Sequence, residues 1–167
     1  FAYLLAVTNR SSLGVATLEA SERFAVSAAQ LSTLAVAQLA VYAAMQVPVG
    51  LLLDRYGARI LLVLGSVLMS VGQILVAVSV EISPAVVGRM LLGMGDAFIF
   101  ISMIRLINGW YSGAKASRRQ QLLTNIGQLG QAVSAIPFAA LLHLQGWSIA
   151  FSTLSIVTLL LVVVSLV

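Results

Sequence analysis

Long apolar runs alternate with short polar segments along the whole chain. A helix crosses about 30 Å of hydrocarbon with about 20 mostly apolar residues, and runs of roughly that length recur six times. Only helix is expected in these runs, because an open sheet edge leaves backbone groups unsatisfied in lipid. The pattern therefore predicts an all-α membrane protein, a bundle of six transmembrane helices. The predicted spans are 1–18, 28–53, 60–80, 85–109, 122–144 and 147–167.

The polar segments between the spans are short. Neighbouring helices are therefore expected to be antiparallel, and residues 1–167 to form a single transmembrane domain. The chain begins at Phe1 without an initiator Met and ends within an apolar run, so we expect it to be part of a longer protein. The predicted connections are 19–27, 54–59, 81–84, 110–121 and 145–146.

Basic residues are distributed unequally between the two sides of the predicted bundle. The connections 54–59 and 110–121 share one side, whereas the opposite side carries Arg23 beside three glutamates. By the positive-inside rule the basic side is cytoplasmic, which places both chain ends there and predicts a multi-pass protein of the cell membrane. The cations of the basic side are Arg55, Arg59, Lys115, Arg118 and Arg119.

The composition also indicates that lipid is the main solvent. Hydrophobic residues make up 60% of the chain, charged residues 8%, and the mean hydropathy is +1.07, whereas a soluble domain carries about 25% charged residues. The net charge of +4 does not indicate nucleic acid as a partner, because the basic residues are scattered. The chain has no cysteine for a disulfide or a thiolate site, and we predict neither a metal nor a cofactor.

Four ionisable residues fall inside predicted spans, where each costs about 2.5 to 3.5 kcal/mol if it faces lipid. They are therefore expected to face protein or a wet cavity. Arg105 lies nearest the cytoplasmic end, where it either reaches the headgroups, pairs with a loop or serves a cavity. The other three are Arg10, Arg89 and Asp96.

Arg10 stands in the most polar stretch of the first span, next to Asn9. Its guanidinium group is suited to hold a carboxylate or phosphate of a substrate by paired hydrogen bonds. The alternative is an internal ion pair with Asp96, the one acid predicted inside a span. Arg89 and Asp96 are seven residues apart, on one face of the helix but about 10 Å apart along it, so they are not expected to bond directly.

Polar side chains also recur at helical spacing. Gln38 and Tyr42 are one turn apart on the second span, and Gln128 lies on the fifth. Such residues either line a water-filled path or hydrogen-bond helices to each other, and we favour the cavity for these three. The predicted substrate and cavity residues are Arg10, Asn9, Gln38, Tyr42, Asp96, Arg89 and Gln128.

The most specific motif follows the second span. Its sequence, GLLLDRYGAR from Gly50 to Arg59, resembles the loop signature G-x-x-x-D-R-x-G-[RK]-[RK] of the major facilitator superfamily. Ala58 departs from the signature, which has a basic residue there. A weaker match to the family's R-x-x-x-G-x-G segment begins at Arg89. The resemblance implies a gating loop formed by Gly50, Asp54, Arg55, Gly57 and Arg59.

Physical roles can be assigned to two residues of this loop. Gly50 is expected to allow another helix to come close. Asp54, at a helix end, is expected to pair with basic residues or with a helix N-terminus. The resemblance implies that this loop acts as a latch between two halves of a longer protein, a role that falls on Asp54.

The resemblance implies the N-terminal six-helix half, built of three plus three helices, of a secondary active transporter. It would move a small solute by alternating access, with an organic anion as one candidate class. The first and fourth helices would border the cavity, and the second and fifth would meet the other half. The implied partners are membrane lipid, the substrate, a coupling proton or counter-anion, and a C-terminal six-helix half.

The alternative function is a six-helix channel or a pore-forming membrane subunit. An intramembrane serine protease would need a serine nucleophile with a histidine base. The one histidine of the chain, His143, lies at the end of the fifth span, and the sequence contains no G-x-S-G string. We therefore predict that the protein is not an enzyme.

Overall fold

The computed structural model describes residues 2–166, and the side chains of all of these except 133–134 and 161–166. The described chain is helical almost throughout, which confirms the predicted all-α class. The helices are α1 (Ala2–Val15), α2 (Thr17–Phe24), α3 (Ala28–Val78), α4 (Ile82–Trp110), α5 (Gly113–Gln145) and α6 (Trp147–Leu166).

The helix α3 is continuous in hydrogen bonding but contains a sharp turn at Gly57, whose φ and ψ are 79° and 162°. Its 51 residues would extend about 77 Å as a straight helix, more than twice the hydrocarbon thickness. Residues on both sides of the turn pack against α4, Gln38 against Gly93 and Gly65 against Gly95. The chain therefore reverses at Gly57, and we call residues 28–56 α3a and residues 58–78 α3b. These correspond to the second and third predicted spans.

Within the described residues, two helices are long and apolar enough to cross a membrane, Ala28–Val78 and Ile82–Trp110, and the stretch Trp147–Leu160 is apolar but shorter. With α3 reversed at Gly57, the first of these supplies two predicted spans. The helix α1 has only 14 residues, and three cations lie in the first two turns of α5. Six complete crossings, the three-plus-three arrangement and the cytoplasmic position of the ends stay predictions.

Two of the predicted connections are wrong in extent, because both are largely helical. The segment 19–27 lies mostly in α2, and the segment 110–121 is helical from Gly113. Hydropathy detects only the apolar turns of a helix, whereas these turns are polar. Capping fixes one boundary that hydropathy found correctly: Ser27 Oγ accepts a hydrogen bond from Gln30 N, and Gln30 Oε1 accepts one from Ser27 N at 3.0 Å.

The helices α3b and α4 pack closely against each other through four glycines. A Cβ atom on Gly72 would lie 2.6 Å from the carbonyl oxygen of Gly88, and one on Gly65 would lie 2.8 Å from that of Gly95. The spacing of seven residues on each helix repeats the contact after two turns, in antiparallel order. Backbones can approach this closely only where side chains are absent, and close backbone packing is a main source of helix association in lipid.

The end of the bundle away from Gly57 is held by Trp147 at the start of α6. Its Nε1 donates to Val76 O at 3.0 Å, and its ring stacks on Phe151 at 4.3 Å between centroids. Arg23 of α2 lies over the same ring and donates from Nε to Ser79 O at 2.7 Å. These contacts fix α2, the end of α3b and the start of α6 to each other.

Substitution of Gly72 by alanine should destabilise the protein by about 1 to 3 kcal/mol, because the new methyl group overpacks the contact with Gly88. Gly109→Ala is the matched control, since a Cβ atom there meets nothing within 4 Å. That change should leave stability unchanged or raise it slightly, given the higher helix propensity of alanine. Thermal unfolding in detergent measures both, and equal stabilities of the two variants would contradict the close α3b–α4 contact.

Candidate functional site

A cavity of about 430 Å³ lies between α1, α3a, α4 and α5. Arg10 of α1, Gln38 of α3a, Arg89 of α4 and Gln131 of α5 all line it. Much of the remaining lining is aliphatic, including Leu31. The cavity therefore combines an apolar wall with a small number of polar groups, as ligand sites commonly do.

Arg10 forms an ion pair with Asp96 across the α1–α4 interface. The distance from Arg10 Nε to Asp96 Oδ2 is 2.8 Å, and Arg10 Nη2 donates to Asp96 Oδ1 at 3.3 Å. The Asp96 side chain is 1% exposed and that of Arg10 is 30% exposed. The guanidinium carbon of Arg10 also lies 5.4 Å from the centroid of the Tyr42 ring. Of the two alternatives for Arg10, the structure therefore contains the internal pair, although Arg10 still borders the cavity.

Arg89 is 1% exposed and contacts neutral acceptors. Its Nη1 donates to Asn9 O and to Ser12 Oγ, both at 3.4 Å, and its Nη2 donates to Arg10 O at 3.2 Å. Among the described residues its Nε finds no acceptor, and no carboxylate forms an ion pair with it. Arg89 and Asp96 share a helix without bonding directly, as their spacing predicted.

These groups leave the cavity with an excess positive charge. Asp96 balances Arg10, and the charge of Arg89 has no opposite charge beside it among the described residues. The other four acids of the chain are elsewhere: Asp54 forms an ion pair with Arg105, Glu19 Oε1 lies 3.5 Å from His143 Nδ1, and two glutamates are exposed. Burial of a charge without a partner destabilises the folded protein by several kcal/mol. The site is therefore suited to accept an anion.

Two polar residues that the sequence analysis did not assign to the site support Arg89. Ser12 Oγ accepts from Arg89 and from Gln73 Nε2, the latter at 3.3 Å. Both are almost fully buried. The only sequence signal for them is a polar side chain inside an apolar span, and many such residues serve helix packing alone.

Asn9 is placed differently from the prediction. Its side chain donates from Nδ2 to Thr158 Oγ1 of α6 and to Leu5 O, each at 2.8 Å, and Asn9 is fully buried. Its contribution to the site is its backbone carbonyl, which accepts from Arg89. The side chain ties α1 to α6.

Gln38 and Gln128 fall in two neighbouring cavities. Gln38 is 3% exposed and lines the cavity of Arg10 and Arg89. Gln128 lines a second cavity of about 370 Å³, which shares Ser11, Gly14 and Gln131 with the first. The structure therefore brings most of the predicted cavity residues into one region of the bundle.

The predicted gating residues form a separate group around the turn at Gly57. Asp54 Oδ1 lies 3.3 Å from Arg105 Nη2, and both side chains are more than 60% exposed. Arg105 therefore pairs with the loop, one of the roles considered for it. Arg55 lies over the ring of Tyr56 at 5.4 Å, and Arg59 is exposed in the first turn of α3b.

Within the described residues no helix comes close to Gly50, and the close approach expected there stays a prediction. A Cβ atom on Gly50 would meet nothing within 4 Å among the described residues, because this side of α3a does not face a neighbouring helix. Gly57, in contrast, has a φ of 79°, a backbone conformation that favours glycine. The turn that joins α3a to α3b therefore depends on Gly57.

Several curated proteins are similar to this chain over nearly its whole length. A probable L-galactonate transporter of Escherichia coli (strain K12) is 29% identical over 163 residues, which cover 98% of this chain and 36% of that protein. A probable sulfoacetate transporter of Cupriavidus necator is 27% identical over 157 residues, 94% of this chain and 36% of that protein. A hexuronate transporter of Bacillus subtilis (strain 168) is 24% identical over 163 residues, 96% of this chain and 39% of that protein. The chain thus spans little more than a third of the length of these relatives.

The family model matches the whole chain. The loop motif ends in a turn that needs Gly57, and the segment that starts at Arg89 supplies the buried cation and two of the glycines of the α4 contacts, Gly93 and Gly95. These are the two segments whose sequence resembled a known family. The model of that family covers residues 1–167, and the chain belongs to the Major Facilitator Superfamily.

Proposed function

We propose that this protein acts in the secondary active transport of a small organic anion, by alternating access, and that Arg89 and Arg10 contact the anion. The proposal rests on the burial of Arg89 and on its hydrogen-bond partners. Its guanidinium group is buried at the cavity, and its contacts are two backbone carbonyls and one hydroxyl. A ligand of opposite charge would neutralise this buried cation and so stabilise the site.

The geometry of Arg89 favours a role in anion binding over a purely structural role. Its hydrogen bonds of 3.2 to 3.4 Å are longer than the usual N–H···O distance of about 2.9 to 3.0 Å. A carboxylate gives shorter and stronger bonds with a guanidinium group, at about 2.7 to 2.9 Å, and can accept two of them at once. The planar fork of arginine is suited to that two-point contact.

The relatives support the same substrate class. Galactonate, sulfoacetate and hexuronates are small organic anions, and each is named as the substrate of one of the similar transporters. Their acidic groups are carboxylates or sulfonates, both of which match a guanidinium group. These relatives are named as transporters, which supports transport over the channel alternative.

Asp96 would set the charge of the cavity. While it is ionised it holds Arg10, and the excess charge is that of Arg89. If a proton neutralised Asp96, Arg10 would be released and the cavity would attract an anion more strongly. A coupling proton on Asp96 is therefore part of the proposal, with a counter-anion as the other form of coupling.

The surface supports a second half of the transporter. Apolar side chains are exposed along α3a, including Val36 and Val47, and along α5, including Leu129 and Ile136. These are the two helices that the sequence analysis expected to meet a C-terminal six-helix half. We propose that this half covers them in a multi-pass protein of the cell membrane, with both ends of the present chain in the cytoplasm.

We propose that the pair formed by Asp54 and Arg105 acts as a cytoplasmic latch within this half, while the latch between the two halves expected of Asp54 stays a prediction. It joins the end of α3a to α4 at the end of the bundle where the predicted cytoplasmic loops lie. An exposed pair contributes about 0.2 to 1 kcal/mol. A contribution of this size is enough to bias an equilibrium between inward-open and outward-open states without locking it.

Arg89→Met in the full-length protein should abolish uptake of galactonate, sulfoacetate and glucuronate by proteoliposomes. Its apparent melting temperature without anion should be equal to that of the wild type or higher, because a buried charge without a partner is removed. The rise in melting temperature that an anion produces should disappear. Arg118→Met, which removes an exposed cation, is the control and should change none of these quantities. A strongly destabilised Arg89→Met protein, or one that still responds to anions, would contradict the proposed role.

Asp54→Asn should shift the balance between inward and outward accessibility by no more than about fivefold, the equivalent of about 1 kcal/mol. The readout is the labelling rate of a cysteine placed at Ser32 in the cavity, in a cysteine-free background, with impermeant reagents on each side. The double variant Asp54→Arg with Arg105→Asp should restore the balance, because it keeps the attraction. Unchanged labelling in Asp54→Asn, or no restoration in the double variant, would remove the latch role.

A further inference from the structure

We propose that Gln38 determines which anions the cavity accepts, by donating a hydrogen bond to an oxygen that the substrate carries in addition to its charged group. The proposal rests on the anion site of Arg89 and Arg10 described under the proposed function. It assigns the substrate to the class of hydroxylated or keto carboxylates, as opposed to plain alkyl carboxylates.

The side-chain amide of Gln38 is buried without a partner. Gln38 is 3% exposed and lines the same cavity as Arg10 and Arg89. Among the described residues, its Nε2 finds no acceptor. A buried N–H group of this kind is unfavourable unless a ligand or water supplies an acceptor.

Three hydroxyl groups of the cavity differ from Gln38 in this respect. Ser11 Oγ donates to Val7 O at 3.0 Å, Thr17 Oγ1 to Gly14 O at 2.9 Å, and Ser32 Oγ to Ala29 O at 2.6 Å. Each hydroxyl is satisfied by a carbonyl of its own helix. The unsatisfied donor of Gln38 is therefore the group available for a neutral part of the ligand.

The position of Gln38 relative to Arg89 is set by Gly93. A Cβ atom on Gly93 would clash with the carbonyl oxygen of Gln38, so α3a contacts α4 directly at this point. Gly93 follows Arg89 by four residues, which places both on the same face of α4, one turn apart. The amide of Gln38 and the guanidinium group of Arg89 therefore belong to one wall of the cavity, within reach of a single small molecule.

This arrangement selects anions that carry an oxygen atom outside their charged group. An anion held by Arg89 that also carries a hydroxyl or carbonyl oxygen accepts the N–H of Gln38. An alkyl carboxylate of the same length leaves that donor unpaired, and sites built for a hydrogen bond reject ligands that lack the matching group.

The experiment compares two anions that share a six-carbon chain and a carboxylate, gluconate and hexanoate. Binding to the full-length protein in detergent is measured by titration with thermal-shift readout. The wild type should bind gluconate at least about tenfold more tightly than hexanoate. Gln38→Met, which keeps length and flexibility without the amide, should lose at least about tenfold for gluconate and leave hexanoate unchanged or tighter. The matched control is Gln46→Met on the same helix, which should retain the wild-type preference.

The outcomes separate this proposal from the proposed function. If the wild type binds gluconate and a folded Gln38→Met keeps the full preference, Gln38 has no selective role and the anion site stands. A wild type that binds both anions equally also overturns the role of Gln38, and this result needs no variant. If the wild type binds neither of these anions nor galactonate or sulfoacetate, the anion site itself is wrong.

Discussion

A buried guanidinium group in a membrane protein needs an opposite charge or hydrogen-bond acceptors beside it. Arg89 is such a group, and the rest of the site depends on it. Its charge cannot be left in lipid, and the described residues offer it only neutral acceptors. Asp96 is already engaged by Arg10. Among the described residues that border the cavity and their ion-pair partners, the cations therefore exceed the acids by one. An anion that enters the cavity provides the missing charge, which links the stability of the site to substrate binding.

The helix packing explains how so polar a site is held inside an apolar bundle. Glycine contacts bring α3b and α4 together on one side, and Gly93 admits α3a on another. α4 is thus fixed between two helices, with Arg89 and Asp96 turned towards α1. Gly57 makes the arrangement possible, because only a sharp reversal there returns α3b to α4.

The class of the fold and the identity of the charged residues could be predicted from the sequence, since both follow from hydropathy. A charged residue within an apolar span must face protein, which is why Arg10, Arg89 and Asp96 were found without a structure. Whether Arg10 pairs with Asp96 or is left to bind a substrate could not be predicted. That choice depends on the relative rotation of α1 and α4, which a single sequence does not encode in any local pattern. The polar helical turns of α2 and of the start of α5 were missed for a related reason, because hydropathy reports only the part of a helix that lies in hydrocarbon.

The placement of Asn9 differs from what its position in the sequence suggested. Asn9 is adjacent to Arg10 in sequence, yet one residue corresponds to a rotation of about 100° on a helix, and its side chain meets α6 instead. Two residues that are adjacent in a helix therefore need not contribute their side chains to the same site. Spacing by three, four or seven residues is the more useful guide, as the glycines of α3b and α4 demonstrate.

The most direct test of the anion site is a crystal structure of the full-length protein with a bromine-substituted carboxylate, located by anomalous scattering. The account predicts that the carboxylate lies within hydrogen-bonding distance of Arg89, in the cavity lined by Arg10 and Gln38. A structure in which Arg89 is instead paired with an acidic side chain from the remainder of the protein, with the ligand bound elsewhere, would contradict it.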